Sequence, residues 1–192
     1  MSAPPAPPLI LASTSPQRRA ILEQLGLPFE VVAPRYEERG EDPLEHAVGK
    51  ARSVEGGGGG GDQPVLGVDT VVVCDGLVLG KPASAAEAEQ MLELLGGRTH
   101  EVVSGLCLRT LGWEEARTET TEVEFRPLTP RDLGAYVVSG EWEGRAGGYA
   151  IQGRGAALVR RVEGDFLNVV GLPAALLVEL LAERFPGTYG FG

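Results

Sequence analysis

Short apolar runs alternate along this chain with stretches whose apolar positions recur every three or four residues, a pattern that predicts strands and helices in turn. Leu9 to Ala12 reads as a buried strand, and Ser13-Thr14-Ser15 as the turn that follows it. A helix is expected from Pro16, with Ser15 as N-cap, Ile21, Leu22 and Leu25 as its stripe, and Gly26 as its stop. Arg19 stands one turn before Glu23, on the expected solvent side. Phe29 to Val32 predicts a second strand. Asp42, Pro43 and Glu45 open a second helix, with Leu44, Ala47, Val48 and Ala51 expected on its inner face.

The clearest local signal is a hairpin of Val65 to Cys74 and Leu77 to Leu79, joined by Asp75-Gly76, the dipeptide that two-residue turns favour. Counting back from the turn puts Lys81 opposite Thr70. A bulge near Gly67 or Gly80 would bring Lys81 and Asp69 to one face. Ser84 and Glu87 predict a capping box for a helix through Leu95. His100 to Arg109, Thr118 to Phe125 and Ala157 to Val162 read as further strands, with a helix from Thr129-Pro130 and a last one from Pro173 to Phe185. Between them, the glycine-rich segment from Gly144 to Gly155 suits a close backbone approach to a ligand.

This order of elements predicts one α/β domain. A leader over residues 1–8 is expected to be flexible, and the six glycines Gly56 to Gly61 read as a surface loop, since no Lys and hydroxyl follow them to grip phosphate. The formal charge is −10 and no basic stripe appears, which excludes a general binder of nucleic-acid polymers. An anionic ligand must then be small and held locally. Cys74 and Cys107 fall within expected strands and suit buried thiols in a reducing, cytoplasmic compartment. The apolar tail is broken by Pro173 and Glu179, so neither secretion nor a membrane span is expected.

Candidate chemistry concentrates in a few polar positions. Of 17 Lys and Arg residues only Lys50 and Lys81 are lysines, sites where a compact ammonium would be kept against a drift toward arginine. The turn after the first strand offers hydroxyls, free N–H groups and Arg18, the makings of a phosphate or carboxylate cradle. Glu37, Glu38 and Asp69 are carboxylates that a fold could gather around a hard divalent cation. Asp69 stands out because a carboxylate in a Val-rich strand is costly to bury without a partner. His46 reads as a helix residue and His100 as a strand-edge one. No zinc-ligand spacing and no Gly-x-Ser-x-Gly elbow occur. Gln152 suits reading a base edge or stapling a loop, and Tyr149 suits packing.

Taken in order, Ala12-Ser13-Thr14-Ser15-Pro16-Gln17-Arg18-Arg19, Lys50-Ala51, Gly67-Val68-Asp69-Thr70, Gly80-Lys81-Pro82, Ser139-Gly140-Glu141, Ala146 to Gly153 and Val169-Val170-Gly171-Leu172-Pro173 resemble the Maf proteins, the septum-formation-inhibitor-like nucleotide pyrophosphatases. The resemblance implies an elongated mixed sheet with a central cleft between two lobes, similar to inosine triphosphatase, and a homodimer. It implies cleavage of a nucleoside triphosphate to a monophosphate and pyrophosphate, with Mg²⁺ or Mn²⁺. By matching positions, Asp69 would accept the proton of the attacking water and Glu38 would share the metal with it. Ser13, Arg18, Lys50 and Lys81 would bind the triphosphate, while Gln17, Thr70 and Gln152 would tune base choice. The opening Ala-Ser-Thr-Ser-Pro-x-Arg-Arg is similar to the branch acting on 7-methyl-GTP, but Asp69-Thr70 and Tyr149 to Gly153 resemble the dTTP and UTP branch and supply two of three selective positions. A nucleotide-binding regulator of cell division and a nucleotidyltransferase remain the rival functions.

Overall fold

The first strand, β1 (Leu9–Leu11), is buried at every residue and pairs in parallel with β2 (Phe29–Val31) on one side and β3 (Val65–Cys74) on the other. Apolar residues on both faces suit a parallel strand covered on both sides. In this computed structural model, residues 6–54 and 63–191 are described. Residues 1–5 of the leader and the whole Gly56 to Gly61 run lie outside them. The rest of the leader is tied down, since Tyr189 Oη donates to the Pro7 carbonyl at 2.9 Å.

The hairpin forms with the expected bounds: β4 (Leu77–Leu79) pairs antiparallel with β3 through Asp75 and Gly76, both at positive φ. Two strands longer than expected follow, β5 (Thr99–Arg109) and β6 (Glu114–Phe125), and the last, β7 (Val159–Glu163), pairs antiparallel with β6. The seven strands form one mixed sheet in the order β2-β1-β3-β5-β6-β7, with β4 added on β3. The chain forms two compact units, Met1–Asp69 with Ser104–Glu119 and Gly171–Gly192, and Thr70–Val103 with Thr120–Val170. Strands β3, β5 and β6 each change unit along their length.

In the first unit, α1 (Pro16–Gln24) starts at proline and ends before Gly26, which takes a φ of 67°. Ser15 occupies the N-cap position without capping; its hydroxyl donates to Gln17 instead, at 3.0 Å. Helix α2 (Pro43–Arg52) is capped by Asp42, whose carboxylate accepts from Leu44 N–H at 2.8 Å. It lies directly on strand backbone. A Cβ on Gly67 of β3 would come within 2.1 Å of the Ala47 carbonyl, and one on Gly105 of β5 within 2.2 Å of the Pro43 carbonyl. Only glycine permits this approach. Ile10, Ala12, Ala47, Ala51, Val54, Val65 and Cys107 pack into the core beneath it. The final helix, α6 (Ala174–Arg184), buries Leu176, Leu177, Leu180 and Leu181, the stripe read from sequence.

The second unit packs α3 (Ala85–Leu95) and α4 (Pro130–Val138) around Leu92, Leu95, Val102, Phe125, Leu133 and Tyr136. Ser84 caps α3, but Glu87 returns to the Ala83 N–H rather than to Ser84. Thr129 and Asp132 form a full capping box on α4. His100 is not a strand-edge residue. It is 2% exposed, bonded to Tyr149 Oη at 2.9 Å and set edge-on against Phe125 and Tyr149, because the alternation of β5 puts it on the buried face with Val102. Burial lowers its pKa to about 4. A short helix that the sequence pattern did not suggest, α5 (Phe166–Val170), places Asn168 in the interior, where its amide donates to the Val102 carbonyl. No helix among the described residues is long and apolar enough to cross a membrane.

Candidate active site

Helix α2 presents an inner face that differs from the expected one. Pro43, His46, Ala47, Lys50 and Ala51 are buried, while Leu44 and Val48 are only partly so. The reason is steric: with Gly67 and Gly105 beneath the helix axis, the alanines face the sheet and the helix sits too low for larger side chains there. His46 and Lys50, one turn apart, share a flank of that face.

That flank meets Asp69, the last residue of the unit's segment of β3. Lys50 Nζ lies 2.5 Å from Asp69 Oδ1 and 2.5 Å from Glu38 Oε1, so one ammonium bridges two carboxylates. Asp69 is 8% exposed and Lys50 7%. An ion pair this deep survives only with its partners in place, because either charge left alone would face the full cost of desolvation. On its other oxygen, Oδ2, Asp69 meets His46 Nδ1 at 3.2 Å. The remaining ring nitrogen, His46 Nε2, faces the Arg39 carbonyl at 3.1 Å and so carries a hydrogen. Burial disfavours the imidazolium, but the Arg39 carbonyl and the Asp69 carboxylate outweigh it and raise the pKa of His46 above its ordinary value.

The turn after β1 builds a second cluster in the same unit. Ser13 is buried, and its hydroxyl accepts from the Ser15 N–H at 3.2 Å and from Arg18 Nη1 at 3.1 Å. Arg18 Nε donates to the Gly171 carbonyl at 2.9 Å, which fixes the guanidinium. Burial lowers the pKa of Arg18, while Asp69 and Glu38 are close enough to pull it upward. The first unit therefore brings together Ser13, Arg18, Glu38, Lys50 and Asp69. Glu37 is not part of this group: it is exposed and pairs with Arg39 at 2.8 Å.

Lys81, Thr70 and Gln152 belong to the second unit. The β3–β4 ladder is regular from Cys74 opposite Leu77 to Val72 opposite Leu79 and ends there, without a bulge at Gly80. Lys81 lies two residues past it and is exposed, as is Gln152 in the turns that follow Tyr149. Tyr149 itself is buried and packs. Gln17, half-buried in the first turn of α1, accepts from Ser15.

Sequence reading missed His46. Glu38, His46 and Asp69 each offer a ligand atom, and these atoms all lie within 4.8 Å of one another, so the three side chains could hold a metal ion. Two carboxylates and an imidazole make a donor set compatible with Mg²⁺ or Mn²⁺. The signal in the sequence is the four-residue spacing of His46 and Lys50, which puts both on one side of a helix.

Residues 8–184 match the Maf-like protein family. The chain belongs to that family. It is 49% identical over 183 residues to the dTTP/UTP pyrophosphatase of Moorella thermoacetica, covering 91% of this chain and 93% of that protein. The dTTP/UTP pyrophosphatase of Deinococcus radiodurans is 44% identical over the full length of both chains. That of Thermus thermophilus is 46% identical over 178 residues, 93% of this chain and 95% of that protein.

Proposed function

We propose that this protein is a nucleoside triphosphate pyrophosphatase that hydrolyses dTTP and UTP to the monophosphate and pyrophosphate. The observation that carries the reading is the buried Asp69 carboxylate, held by Lys50 and His46 in the same unit as the Ser13 and Arg18 turn, in a chain whose relatives carry that activity by name.

Hydrolysis of a phosphoanhydride needs an aligned water, an acceptor for its proton and positive charge on the phosphate oxygens. Asp69 takes the water's proton as oxygen bonds to phosphorus and the link between the α and β phosphates breaks, and the electron pair leaves with pyrophosphate. Ser13, Arg18, Lys50 and Lys81 bind the triphosphate. The Ser13 hydroxyl and Arg18 are already oriented by each other and by the Gly171 carbonyl, so little order remains to be imposed on binding. Lys50, held between Glu38 and Asp69, keeps its ammonium at a fixed place and orients the Asp69 carboxylate. Glu38 and Asp69 would hold Mg²⁺ or Mn²⁺, which supplies charge neutralisation on the phosphate oxygens. Gln17, Thr70 and Gln152 discriminate the base. We place the protein in the cytoplasm, where the buried free thiols Cys74 and Cys107 stay reduced, and expect a homodimer from the family resemblance.

Purified protein with Mg²⁺ or Mn²⁺ should release pyrophosphate from UTP and dTTP faster than from ATP, GTP or 7-methyl-GTP. Highest rates on 7-methyl-GTP would move the protein to that branch, as its Ser-Pro-Gln-Arg-Arg opening suggests. Tight binding without pyrophosphate release would instead favour a nucleotide-binding regulator, and a conjugated product a nucleotidyltransferase.

A further inference from the structure

We propose that His46 supplies a nitrogen ligand to the divalent cation of Glu38 and Asp69, making this a mixed oxygen–nitrogen site that favours Mn²⁺ over Mg²⁺. The proposal rests on the metal reading given above and extends it to a residue and a metal preference. His46 is 4% exposed, and its ligand atom lies with those of Glu38 and Asp69 inside a 4.8 Å group. The far ring nitrogen is committed to the Arg39 carbonyl at 3.1 Å. Metal-bound histidines are characteristically held in this way, with the second N–H given to a carbonyl or carboxylate so that the first nitrogen is aimed at the ion. That first nitrogen, Nδ1, points at Asp69 Oδ2.

Lys50 does not close this side of the site. Its ammonium occupies Asp69 Oδ1 and Glu38 Oε1 and leaves Asp69 Oδ2 to His46, so a cation shared by Oδ2 and Nδ1 does not require the Lys50–Asp69 pair to break. The ring is also held rigidly. It stands on a helix pinned to the strands at Gly67 and Gly105, and the Tyr36 ring lies tilted beside it at a centroid distance of 6.0 Å. Imidazole nitrogen is a better ligand for Mn²⁺ and the later transition metals than for Mg²⁺, which prefers carboxylate oxygens and its own waters.

The test is Mn²⁺ alone, without nucleotide, bound to the full chain and read by pulsed electron paramagnetic resonance. Coupling to a directly bonded ¹⁴N nucleus is expected in the wild type and absent in His46→Gln. Calorimetric affinity for Mn²⁺ should fall about tenfold or more in that variant, with Mg²⁺ affinity changing much less. An oxygen-only Mn²⁺ spectrum, unchanged Mn²⁺ affinity in His46→Gln, or no Mn²⁺ binding at all overturns the proposal. Should His46→Gln fail to fold, the wild-type spectrum decides by itself. Failure of the pyrophosphatase reading shows separately, as absence of product in the nucleotide panel.

Discussion

Lys50 and Asp69, nineteen positions apart, meet at 2.5 Å in a nearly dry contact between a helix and a strand. Each has one further partner, Glu38 for Lys50 and His46 for Asp69, and loss of either charge leaves the other incompletely compensated.

Replacing Asp69 with asparagine keeps the shape and removes the proton acceptor. Turnover should fall by about 10²–10⁴-fold, the range a positioned acid or base supplies. Pyrophosphate release measured beside nucleotide affinity checks this: near-normal kcat rejects Asp69 as the acceptor, and binding should stay within a few fold.

Lys50→Met strands the Asp69 carboxylate and should lower stability by about 2–3 kcal/mol, less than for a fully buried pair because His46 remains on Oδ2. Adding Asp69→Asn to Lys50→Met should recover most of that loss. Urea unfolding of the two single variants and the double variant measures the coupling, and strict additivity would deny that the contact matters to the fold.

Gly67→Ala puts a methyl group where the Ala47 carbonyl already stands, 2.1 Å away. Helix α2 must lift and carry Lys50 and His46 with it. A loss of about 1–3 kcal/mol is expected for an overpacked core position, and kcat should fall with it although the substituted residue touches no substrate. Stability and kcat measured on one preparation test the link.

His100 gives a pH signature. Its folded-state pKa of about 4 lies below the ordinary 6.5, so the unfolded chain binds this proton first. Stability from this group is therefore complete above pH 6.5 and is lost as pH falls toward 4, by about 3 kcal/mol in total. His46, whose pKa is raised, works oppositely: its contribution is full below 6.5 and fades as pH rises through its folded value. Unfolding curves of wild type and His100→Gln between pH 4 and 7 should differ in slope, and parallel curves would contradict the assignment.

Elements with strong local punctuation were legible from the sequence. Asp75-Gly76 set the ends of β3 and β4 to the residue, and proline at the first helical position located α1, α2 and α4. Elements that owe their form to distant partners were not. The sequence started β6 only at Thr118, because Glu114, Glu115 and Arg117, which precede it, are satisfied by Arg52, Arg184 and Glu183, far away in the chain. Likewise α5 is too short for its period to register. At the site, Asp69, Lys50, Ser13 and Arg18 were read from residue type and family likeness. His46 was missed because apolar periodicity assumes that apolar side chains point inward, and a helix resting on glycine backbone reverses that assumption on one flank.

The seating of α2 on Gly67 and Gly105 makes its rotational phase part of the chemistry. Each residue added or removed between Asp42 and His46 would turn the helix by about 100° and swing both His46 and Lys50 away from Asp69. Length variation elsewhere in the fold can be absorbed by loops, whereas insertions and deletions in these few positions should be intolerable to activity even where the protein still folds.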